Sequence, residues 1–318
     1  MPLRSPIDGT IAQILCSGDQ VVDGTEKEVA VAVVKKCLHA IVMNSICLHC
    51  FALIDAETLR SYKQIITYDG CVQYLQKDYY ENERVHIQTN LLRNRKLGLV
   101  FDLDNTLMEQ TDDLRCIEAA QYGIPDVNLI RFNHNNHLTE LVIILRPHII
   151  PILTELTKYF DLSVYTNGVR EYAVEIVKII DPKGQLFGNR LIARNDIPDN
   201  AERSSFNNAE PSSKNMQFVL PGYDTMGISV DDNLCVWKDQ ANVIVIPRFE
   251  FWKYYRSCIV RMQQLQVNDE QKRREEMFNA VGRIVNSSDM DAMLNTLTSI
   301  HKEFYSHITE PVKSASCR

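Results

Sequence analysis

The chain has 318 residues, of which 45% are hydrophobic and 24% charged, and its formal net charge at pH 7 is −7. The length suits two domains or one large domain with extensions, and the composition is typical of an ordinary soluble globular protein. The acidic charge argues against binding nucleic acid by overall electrostatic attraction. The sequence also lacks an apolar stretch of membrane-spanning length and the basic-then-apolar start of a secretory signal. We therefore expect no direct nucleic-acid partner and no membrane.

Residues 1–55 predict a small β-rich module. Glycines separate short segments of β-forming residues, and residues 28–34 alternate in the way that is typical of a strand. The stretch resembles the first half of a biotinyl or lipoyl carrier domain. Lys35 and Lys36 lack the methionine-flanked hairpin of a carrier lysine, so we interpret the module as barrel-like and not as a carrier.

A group of cysteine and histidine residues follows within this module. Cys37, His39, Cys47 and Cys50 have the ligand types and the spacing that suit one tetrahedral Zn²⁺, and His49 is an alternative for one of them. Buried reduced thiols on an apolar segment would explain the same residues. The total of nine cysteines is odd, which favours reduced thiols in the cytosol or the nucleus.

Residues 56–95 are polar and rich in tyrosine, and we interpret them as a connecting segment. The short apolar run at Leu97–Phe101 then predicts a buried parallel strand. Asp102 and Asp104 follow it directly, at the edge of the sheet where ligands bind in doubly wound folds. Because residues i and i+2 of an extended chain face the same way, both carboxylates enter one pocket. Either Mg²⁺ or a proton on one aspartate relieves their repulsion.

Strands alternate with amphipathic helices over residues 96–250, which predicts an α/β catalytic domain with a parallel sheet. Strands are expected at residues 141–145, 162–166, 227–230 and 242–246, and helices at residues 149–160 and 171–180. Residues 251–318 are charged and helical in character, and we interpret them as a C-terminal helical extension.

The strand ends carry the residue types that a metal-assisted phosphoryl transfer needs. Mg²⁺ prefers hard oxygen ligands, so we expect carboxylates from Asp102 and from one of a second pair, and the backbone carbonyl of Asp104. Thr166 is expected to donate to a phosphoryl oxygen, and Lys214 to pair with Asp102 and the phosphate. A polar turn is the alternative explanation of each strand end alone. The strand ends carry Asp102 and Asp104, Arg146, Thr166, and Asp231 and Asp232.

Several motifs point to a known family. Asp102-Leu-Asp-Asn-Thr106 resembles the first motif, Asp-x-Asp-x-Thr, of haloacid-dehalogenase-type phosphotransferases. The further motifs are Leu145-Arg-Pro147, Thr166-x-Gly-x-Arg-x-Tyr-Ala173, Asp181-Pro182, Leu186-Phe-Gly188, Arg194-x-Asp196, Lys214-Asn215 and Val230-Asp-Asp-x5-Lys238. Together they resemble the Fcp-homology domain of phosphatases that remove phosphate from serines in the heptad repeats of the RNA polymerase II C-terminal domain. The form of the threonine motif favours the large branch, which associates with TFIIF.

The resemblance implies a Rossmann-like haloacid-dehalogenase core and a nuclear, Mg²⁺-dependent protein-serine phosphatase. Asp102 would be the nucleophile that forms an aspartyl-phosphate, and Asp104 the general acid and then the base. Arg146 and Arg170 are candidates for binding the phosphoserine, while capping a helix or pairing with Glu171 are the alternatives for Arg170. The implied partners are the phosphorylated C-terminal domain of RNA polymerase II and TFIIF.

The sequence departs from the family pattern in places. Asn195 interrupts a stretch usually written Arg-Asp, and Asn233 stands where an arginine commonly follows the aspartate pair. No BRCT domain follows Tyr305, as expected of a short form or a truncated chain. Two other functions stay open: a haloacid-dehalogenase phosphatase of small phosphometabolites, and a non-catalytic scaffold of the same fold. The intact pair of Asp102 and Asp104 argues against the scaffold.

Overall fold

The computed structural model describes residues 9–14, 32–67, 69–197, 214–219, 223–264, 270–285 and 289–308. The described strands are β1 (Gly9–Ile14), β2 (Ala32–Lys36), β3 (Ile41–Met43), β4 (Ile46–Cys47), β5 (Lys63–Ile66), β6 (Val72–Leu75), β7 (Leu97–Phe101), β8 (Met108–Thr111), β9 (Val127–His134), β10 (His137–Leu145), β11 (Phe160–Tyr165), β12 (Leu191–Ile192), β13 (Gly227–Asp231) and β14 (Val243–Val245). The described α-helices are α1 (Ala56–Leu59), α2 (Lys77–Asn94), α3 (Ile149–Leu156), α4 (Arg170–Ile180), α5 (Tyr223–Met226), α6 (Trp252–Gln264), α7 (Glu270–Val285) and α8 (Asp289–Ser306). Short 3₁₀ segments lie at Leu114–Tyr122, Arg194–Asp196, Met216–Phe218 and Leu234–Val236.

The described N-terminal part is rich in β-strands, as predicted, and these strands pair antiparallel. Strands β1 and β2 pair with each other, and four further strands form a sheet in the order β4-β3-β6-β5. The alternating segment predicted at residues 28–34 is described only from Ala32 onward. Strands β5 and β6 come from the segment that we interpreted as a connector, so this sheet extends across the boundary predicted at residue 55.

The central sheet is parallel, which confirms the predicted α/β class. Five of the described strands form it in the order β12-β11-β7-β13-β14, with β7 in the middle. Every residue of β7 is buried, as expected of a strand that is covered on both faces. Because β11 and β13 run parallel to β7, the carboxyl ends of these three strands meet at one edge of the sheet.

The strand predicted at residues 141–145 does not belong to this parallel sheet. It is the second half of β10, which pairs antiparallel with β9 and β8 in a separate sheet of order β8-β10-β9. Asn135 and Asn136 at the hairpin turn have φ angles of 50° and 64°, and such left-handed residues produce a tight reversal that suits strand twist. Arg146 therefore follows an antiparallel strand and not a strand of the central sheet.

The helix predicted at residues 149–160 ends at Leu156. The chain then tightens through hydrogen bonds from Lys158 N to Glu155 O (3.2 Å) and from Tyr159 N to Leu156 O (3.0 Å). Phe160 starts β11, because its register opposite Leu97 buries its ring in the core. The helix predicted at residues 171–180 is confirmed as α4.

The last helix, α8, packs on the catalytic core. Met290, Met293 and Leu297 are buried in the same cluster as the central sheet. The Tyr305 hydroxyl donates to the carbonyls of Leu91 (3.2 Å) and Lys96 (2.8 Å), just before β7 begins. This helix thus supports the start of the central strand. No helix in the described ranges is both long and apolar enough to cross a membrane.

Candidate active site

The functional site lies where the central strands end. Asp102 and Asp104 follow β7, Thr166 follows β11, and Asp231 and Asp232 come at the end of β13. A backbone hydrogen bond from Asp102 N to Val230 O (3.0 Å) keeps the ends of β7 and β13 in register. The structure thus brings these predicted residues to one edge of the sheet.

Lys214 lies at the centre of this site. Its buried ammonium group donates to Asp102 Oδ1 at 2.5 Å and to Asp231 Oδ2 at 2.7 Å. Its own backbone is held by a hydrogen bond from Lys214 N to Val236 O (2.6 Å). Burial opposes the charge, but the two carboxylates outweigh it and raise the pKa of Lys214 above its usual value. The lysine therefore stays protonated and neutralises one of the two negative charges beside it.

Asp102 and Asp231 have different surroundings. The Asp231 carboxylate also accepts hydrogen bonds from Trp237 Nε1 and Asn233 N, both at 2.8 Å, so its two oxygens are held in place. Asp102 has Lys214 as its hydrogen-bond donor, and burial raises the pKa of its carboxyl to about 7 against the opposing effect of that ammonium. A cation beside Asp102 favours the ionised form.

Asp104 is paired with a tyrosine that comes from α4. The Tyr172 hydroxyl donates to Asp104 Oδ1 at 2.5 Å. Burial raises the pKa of Asp104 above its usual value, although this hydrogen bond opposes the shift. Burial and the nearby carboxylates raise the pKa of Tyr172 well above 10, so the phenol keeps its proton. Asp104 therefore holds a proton more readily than an exposed aspartate would.

These groups line an open pocket. Its walls come from the loop after β11, from the antiparallel hairpin and from the segment after β13. The lining residues include Asp102, Asp104, Phe132, Leu141, Asn167, Gly168, Val169, Tyr172, Arg194, Lys214, Asp231, Asp232 and Arg248. A Cβ atom at Gly168 would lie 2.7 Å from Tyr172 Cδ1, so only glycine lets this loop pack over that ring. The pocket thus has an acidic floor with one buried ammonium, an apolar wall and arginines at its rim.

Comparison with known proteins assigns the chain to a family. The sequence profile of the NLI interacting factor-like phosphatases matches residues 97–265, which include the whole site. The chain belongs to this family.

Curated proteins that are similar to the chain are named as phosphatases of the RNA polymerase II C-terminal domain. It is 28% identical over 261 residues to "RNA polymerase II C-terminal domain phosphatase-like 3" of Arabidopsis thaliana, which covers 75% of the chain and 19% of that protein. It is 27% identical over 260 residues to a C-terminal domain phosphatase of RNA polymerase II from Homo sapiens, which covers 79% of the chain and 25% of that protein. The chain thus spans about a fifth to a quarter of the length of these relatives.

A solved structure of Fcp1, described as an essential RNA polymerase II CTD phosphatase, has the same fold. It superposes with a TM-score of 0.53 at 21% identity, over 71% of this chain and 67% of that one. The predicted resemblance to Fcp-type phosphatases of the haloacid-dehalogenase superfamily is thus confirmed, and so is the predicted α/β core.

Three carboxylates of the active site could together bind a cation. Oxygen atoms of Asp102, Asp231 and Asp232 all lie within 4.8 Å of one another. Asp232 is placed by Thr106, whose hydroxyl accepts from Asp232 N at 3.0 Å, and by Arg248, which lies 3.3 Å from Asp232 Oδ2. This set of hard oxygen atoms suits Mg²⁺.

Thr166 and Arg146, which we expected to contact the phosphate, are both buried and make contacts within the protein. Thr166 is fully buried, and its Oγ1 accepts from Gly168 N at 2.9 Å, so it shapes the pocket loop. Arg146 is also buried and donates to the carbonyls of Asn105 (2.9 Å) and Pro247 (2.6 Å). Burial lowers the pKa of Arg146 to about 10, and the guanidinium stays charged at neutral pH. These contacts hold the segment after β7, whereas Arg146 does not line the pocket.

Arg170 is likewise not among the residues that line the pocket. Its guanidinium forms an ion pair with Asp196, and its backbone N–H donates to Asn195 Oδ1 at 2.8 Å. Of the alternatives that the sequence left open for this arginine, the structure displays pairing, and the partner is Asp196. These contacts fix the first turn of α4 against the segment after β12.

Sequence reasoning missed three contacts of the site. Tyr172 bonds to Asp104, Trp237 bonds to Asp231, and Arg248 lies beside Asp232. Tyr172 had a signal, since it is part of the threonine motif that carried the resemblance. The sequence carried no signal for Trp237 or Arg248. Both lie outside the strands, and only the folded sheet brings them next to Asp231 and Asp232.

The predicted zinc ligands come together in the N-terminal module. One ligand atom from each of Cys37, His39, Cys47 and Cys50 lies within 4.8 Å of the others. The sulfur atoms of Cys37 and Cys47 are 3.7 Å apart, and Cys50 Sγ is 3.3 Å from His39 Nδ1. His49 contributes only its backbone N–H, 3.4 Å from Cys47 Sγ. Burial opposes ionisation, but nearby N–H groups lower the pKa of Cys47 to about 6, which favours the thiolate that a metal binds.

Proposed function

We propose that this chain is a Mg²⁺-dependent protein-serine phosphatase that acts on the phosphorylated C-terminal heptad repeats of RNA polymerase II. The observation that carries the proposal is the buried ammonium of Lys214 shared by Asp102 and Asp231, with Asp104 beside them in an open pocket. A nucleophilic carboxylate can approach a phosphate dianion only where positive charge offsets the repulsion. The family and the names of the curated relatives support the same activity.

Asp102 would be the nucleophile. Its Oδ1 is held by Lys214, which leaves Oδ2 to attack phosphorus. The bond from phosphorus to the serine oxygen breaks as the bond to Asp102 forms, which gives an aspartyl-phosphate and a free serine. Water then attacks the same phosphorus and releases inorganic phosphate and the Asp102 carboxylate.

Asp104 would move the protons in both steps. Its raised pKa favours a carboxylic acid that protonates the departing serine oxygen, and the resulting carboxylate then takes a proton from the attacking water. The Tyr172 hydroxyl holds Asp104 Oδ1, so the other oxygen is the one that faces the substrate. The two aspartates thus have different roles because only Asp102 bonds to the lysine.

Mg²⁺ would be bound by Asp102, by Asp231 or Asp232, and by the Asp104 carbonyl. When bound, it supplies positive charge that stabilises the phosphoryl oxygens. We also propose that Cys37, His39, Cys47 and Cys50 bind a structural Zn²⁺, since their ligand atoms already lie together.

The shape of the pocket favours a peptide over a small phosphometabolite. Phe132 and Leu141 form an apolar wall beside the acidic floor, which suits side chains next to a phosphoserine. Because the proposed substrate is part of the transcription machinery, we expect the protein to act in the nucleus. TFIIF is a proposed partner through the resemblance to the large branch.

The proposal is tested by comparing phosphorylated heptad-repeat peptides with sugar phosphates, each with and without Mg²⁺. We expect release of phosphate from the peptides only when Mg²⁺ is present, and none from the variant Asp102→Asn. A preference for sugar phosphates would favour the phosphometabolite alternative. Failure to hydrolyse either substrate would favour a non-catalytic scaffold.

A further inference from the structure

The β5–β6 hairpin, which belongs to the N-terminal sheet β4-β3-β6-β5, reaches the catalytic core. Strand β5 packs against the turn Met216–Phe218, which directly follows the segment of Lys214. Ile66, the last residue of β5, is 1% exposed and belongs to the same apolar cluster as the central sheet. The hairpin is therefore continuous with the catalytic domain.

The turn of this hairpin contacts an ion pair next to the pocket. Hydrogen bonds from Gly70 N to Thr67 O (2.8 Å) and from Thr67 N to Cys71 O (2.9 Å) close the turn. A Cβ atom on Gly70 would lie 2.5 Å from Asp196 Oδ1 and 3.3 Å from Arg170 Nη1. The backbone of Gly70 thus lies directly against the pair of Asp196 and Arg170.

Asp196 has little freedom to move away from this turn. It is 6% exposed, and its Oδ2 accepts from Ala193 N at 2.8 Å and from the Arg170 guanidinium. A side chain fixed by two donors on one oxygen cannot rotate without losing both bonds, which costs free energy for a buried carboxylate. A side chain at Gly70 would therefore displace Asp196 together with its partners.

The ion pair is connected to the wall of the pocket. Arg170 N donates to Asn195 Oδ1 at 2.8 Å, and Arg194 N donates to Gly168 O at 3.0 Å. Gly168 lines the pocket and packs on Tyr172, which bonds to Asp104. A chain of contacts thus runs from Gly70 to the loop Asn167–Val169 that faces the substrate.

We infer that Gly70 is a positioning residue of the catalytic site, since its turn holds Asp196 and Arg170 and, through them, the pocket loop Asn167–Val169. The N-terminal sheet β4-β3-β6-β5 then supports catalysis directly. This inference rests on the proposed phosphatase function. Small displacements of groups that position a substrate can lower a rate by factors of about ten to a hundred.

The experiment compares Gly70→Ala with Gly123→Ala in the full chain. The φ angles of the two glycines are +83° and +80°, but a Cβ on Gly123 would meet nothing within 4 Å. Both substitutions therefore place an alanine at a similar positive φ, and only Gly70→Ala adds the contact with Asp196. We expect Gly70→Ala to lower kcat/KM for an aryl phosphate about tenfold or more, and Gly123→Ala to leave it within about twofold of the wild type.

A double-mutant cycle separates positioning from general destabilisation. Asp196→Ala removes the two atoms nearest to the new Cβ and leaves Arg170 Nη1 at 3.3 Å, so adding Gly70→Ala to it should lower kcat/KM little further. Additive losses would overturn the inference. Should Gly70→Ala fail to fold, Gly70→Asn against Gly123→Asn makes the same comparison, because asparagine tolerates a left-handed backbone but keeps the Cβ.

The outcomes distinguish this inference from the proposed function. An active wild type whose Gly70→Ala variant equals Gly123→Ala overturns the positioning role alone. A wild type that hydrolyses neither aryl phosphate nor phosphopeptide overturns the proposed function and this inference with it. A selective loss in Gly70→Ala that disappears in the Asp196→Ala background supports the inference.

Discussion

The hydroxyl of Tyr172 donates a 2.5 Å hydrogen bond to Oδ1 of Asp104, although the two residues are 68 positions apart. Tyr172 is in the first turns of α4, and Asp104 follows the central strand β7. Because the phenol keeps its proton, this bond fixes the orientation of the proposed general acid. The first prediction follows from this contact.

Tyr172→Phe should lower kcat for a phosphoserine peptide about ten- to hundredfold. The substitution removes the hydrogen bond that stabilises the Asp104 carboxylate formed when this acid gives up its proton. A hydrogen bond to the carboxylate lowers the pKa of Asp104, so its loss raises that pKa further. The first step needs the protonated acid, and the alkaline limb of the pH–rate profile should therefore move to higher pH. Tyr159→Phe, which lies outside the pocket lining, is the control and should leave the profile unchanged.

The two aspartates should differ when each is changed to asparagine. Asp102→Asn should abolish turnover and leave no phosphoenzyme, because an amide is a poor nucleophile. Asp104→Asn removes only the acid, and a good leaving group needs less protonation. It should therefore retain relatively more of the phosphoryl-transfer step on an aryl phosphate than on phosphoserine, and phosphoenzyme should accumulate. A covalent phosphate found by mass spectrometry on any residue other than Asp102 would refute the assignment.

Lys214→Met should abolish activity and also destabilise the fold. Removing the ammonium leaves the buried carboxylates of Asp102 and Asp231 without their cation, which typically costs about 3–5 kcal/mol. A carboxyl whose pKa is higher in the folded state than in the unfolded state loses stability as pH rises between the two values. The stability deficit of the variant, measured by denaturant unfolding, should therefore be larger at about pH 8 than at about pH 5. A deficit that is independent of pH would contradict this account.

Cys47→Ser should abolish zinc binding. We expect about one zinc per wild-type chain by metal analysis, since the ligand set is complete for one tetrahedral ion. The matched control is Cys71→Ser, because Cys71 is an exposed free cysteine outside the ligand group. Removal of zinc by a chelator should also lower the melting temperature. Wild-type protein without zinc, or equal zinc contents in both variants, would reject the site.

Arg146→Lys should affect stability more than chemistry. The guanidinium donates to the carbonyls of Asn105 and Pro247 and lies 5.1 Å above the ring of Phe249, and a lysine cannot make this set of contacts. We expect a loss of about 1–3 kcal/mol in the free energy of unfolding. Arg131→Lys is the control, since Arg131 makes an exposed pair with Glu140. A large fall in kcat with unchanged stability would instead support the phosphate-binding role predicted from the sequence.

The sequence by itself determined the centre of the fold and the acidic part of the site. The run Leu97–Phe101 is short and apolar throughout, which predicted a buried strand with Asp102 and Asp104 directly after its end. Asp231 and Asp232 were found in the same way after a second apolar strand. These signals are local, because a strand and the polar residues at its end are adjacent in the chain.

The tertiary structure alone decided how distant segments pair. The run at residues 141–145 was equally apolar, yet the turn at Asn135 and Asn136 directs it into an antiparallel hairpin. Arg146, which follows this strand, is therefore not among the residues that line the pocket. Strands β5 and β6 escaped detection because each has only four residues and mixes polar with apolar side chains. The contacts of Tyr172 with Asp104 and of Gly70 with Asp196 depend on the packing of separate elements. Hydrophobic periodicity records which residues are buried, but it carries no information on which buried segments lie side by side.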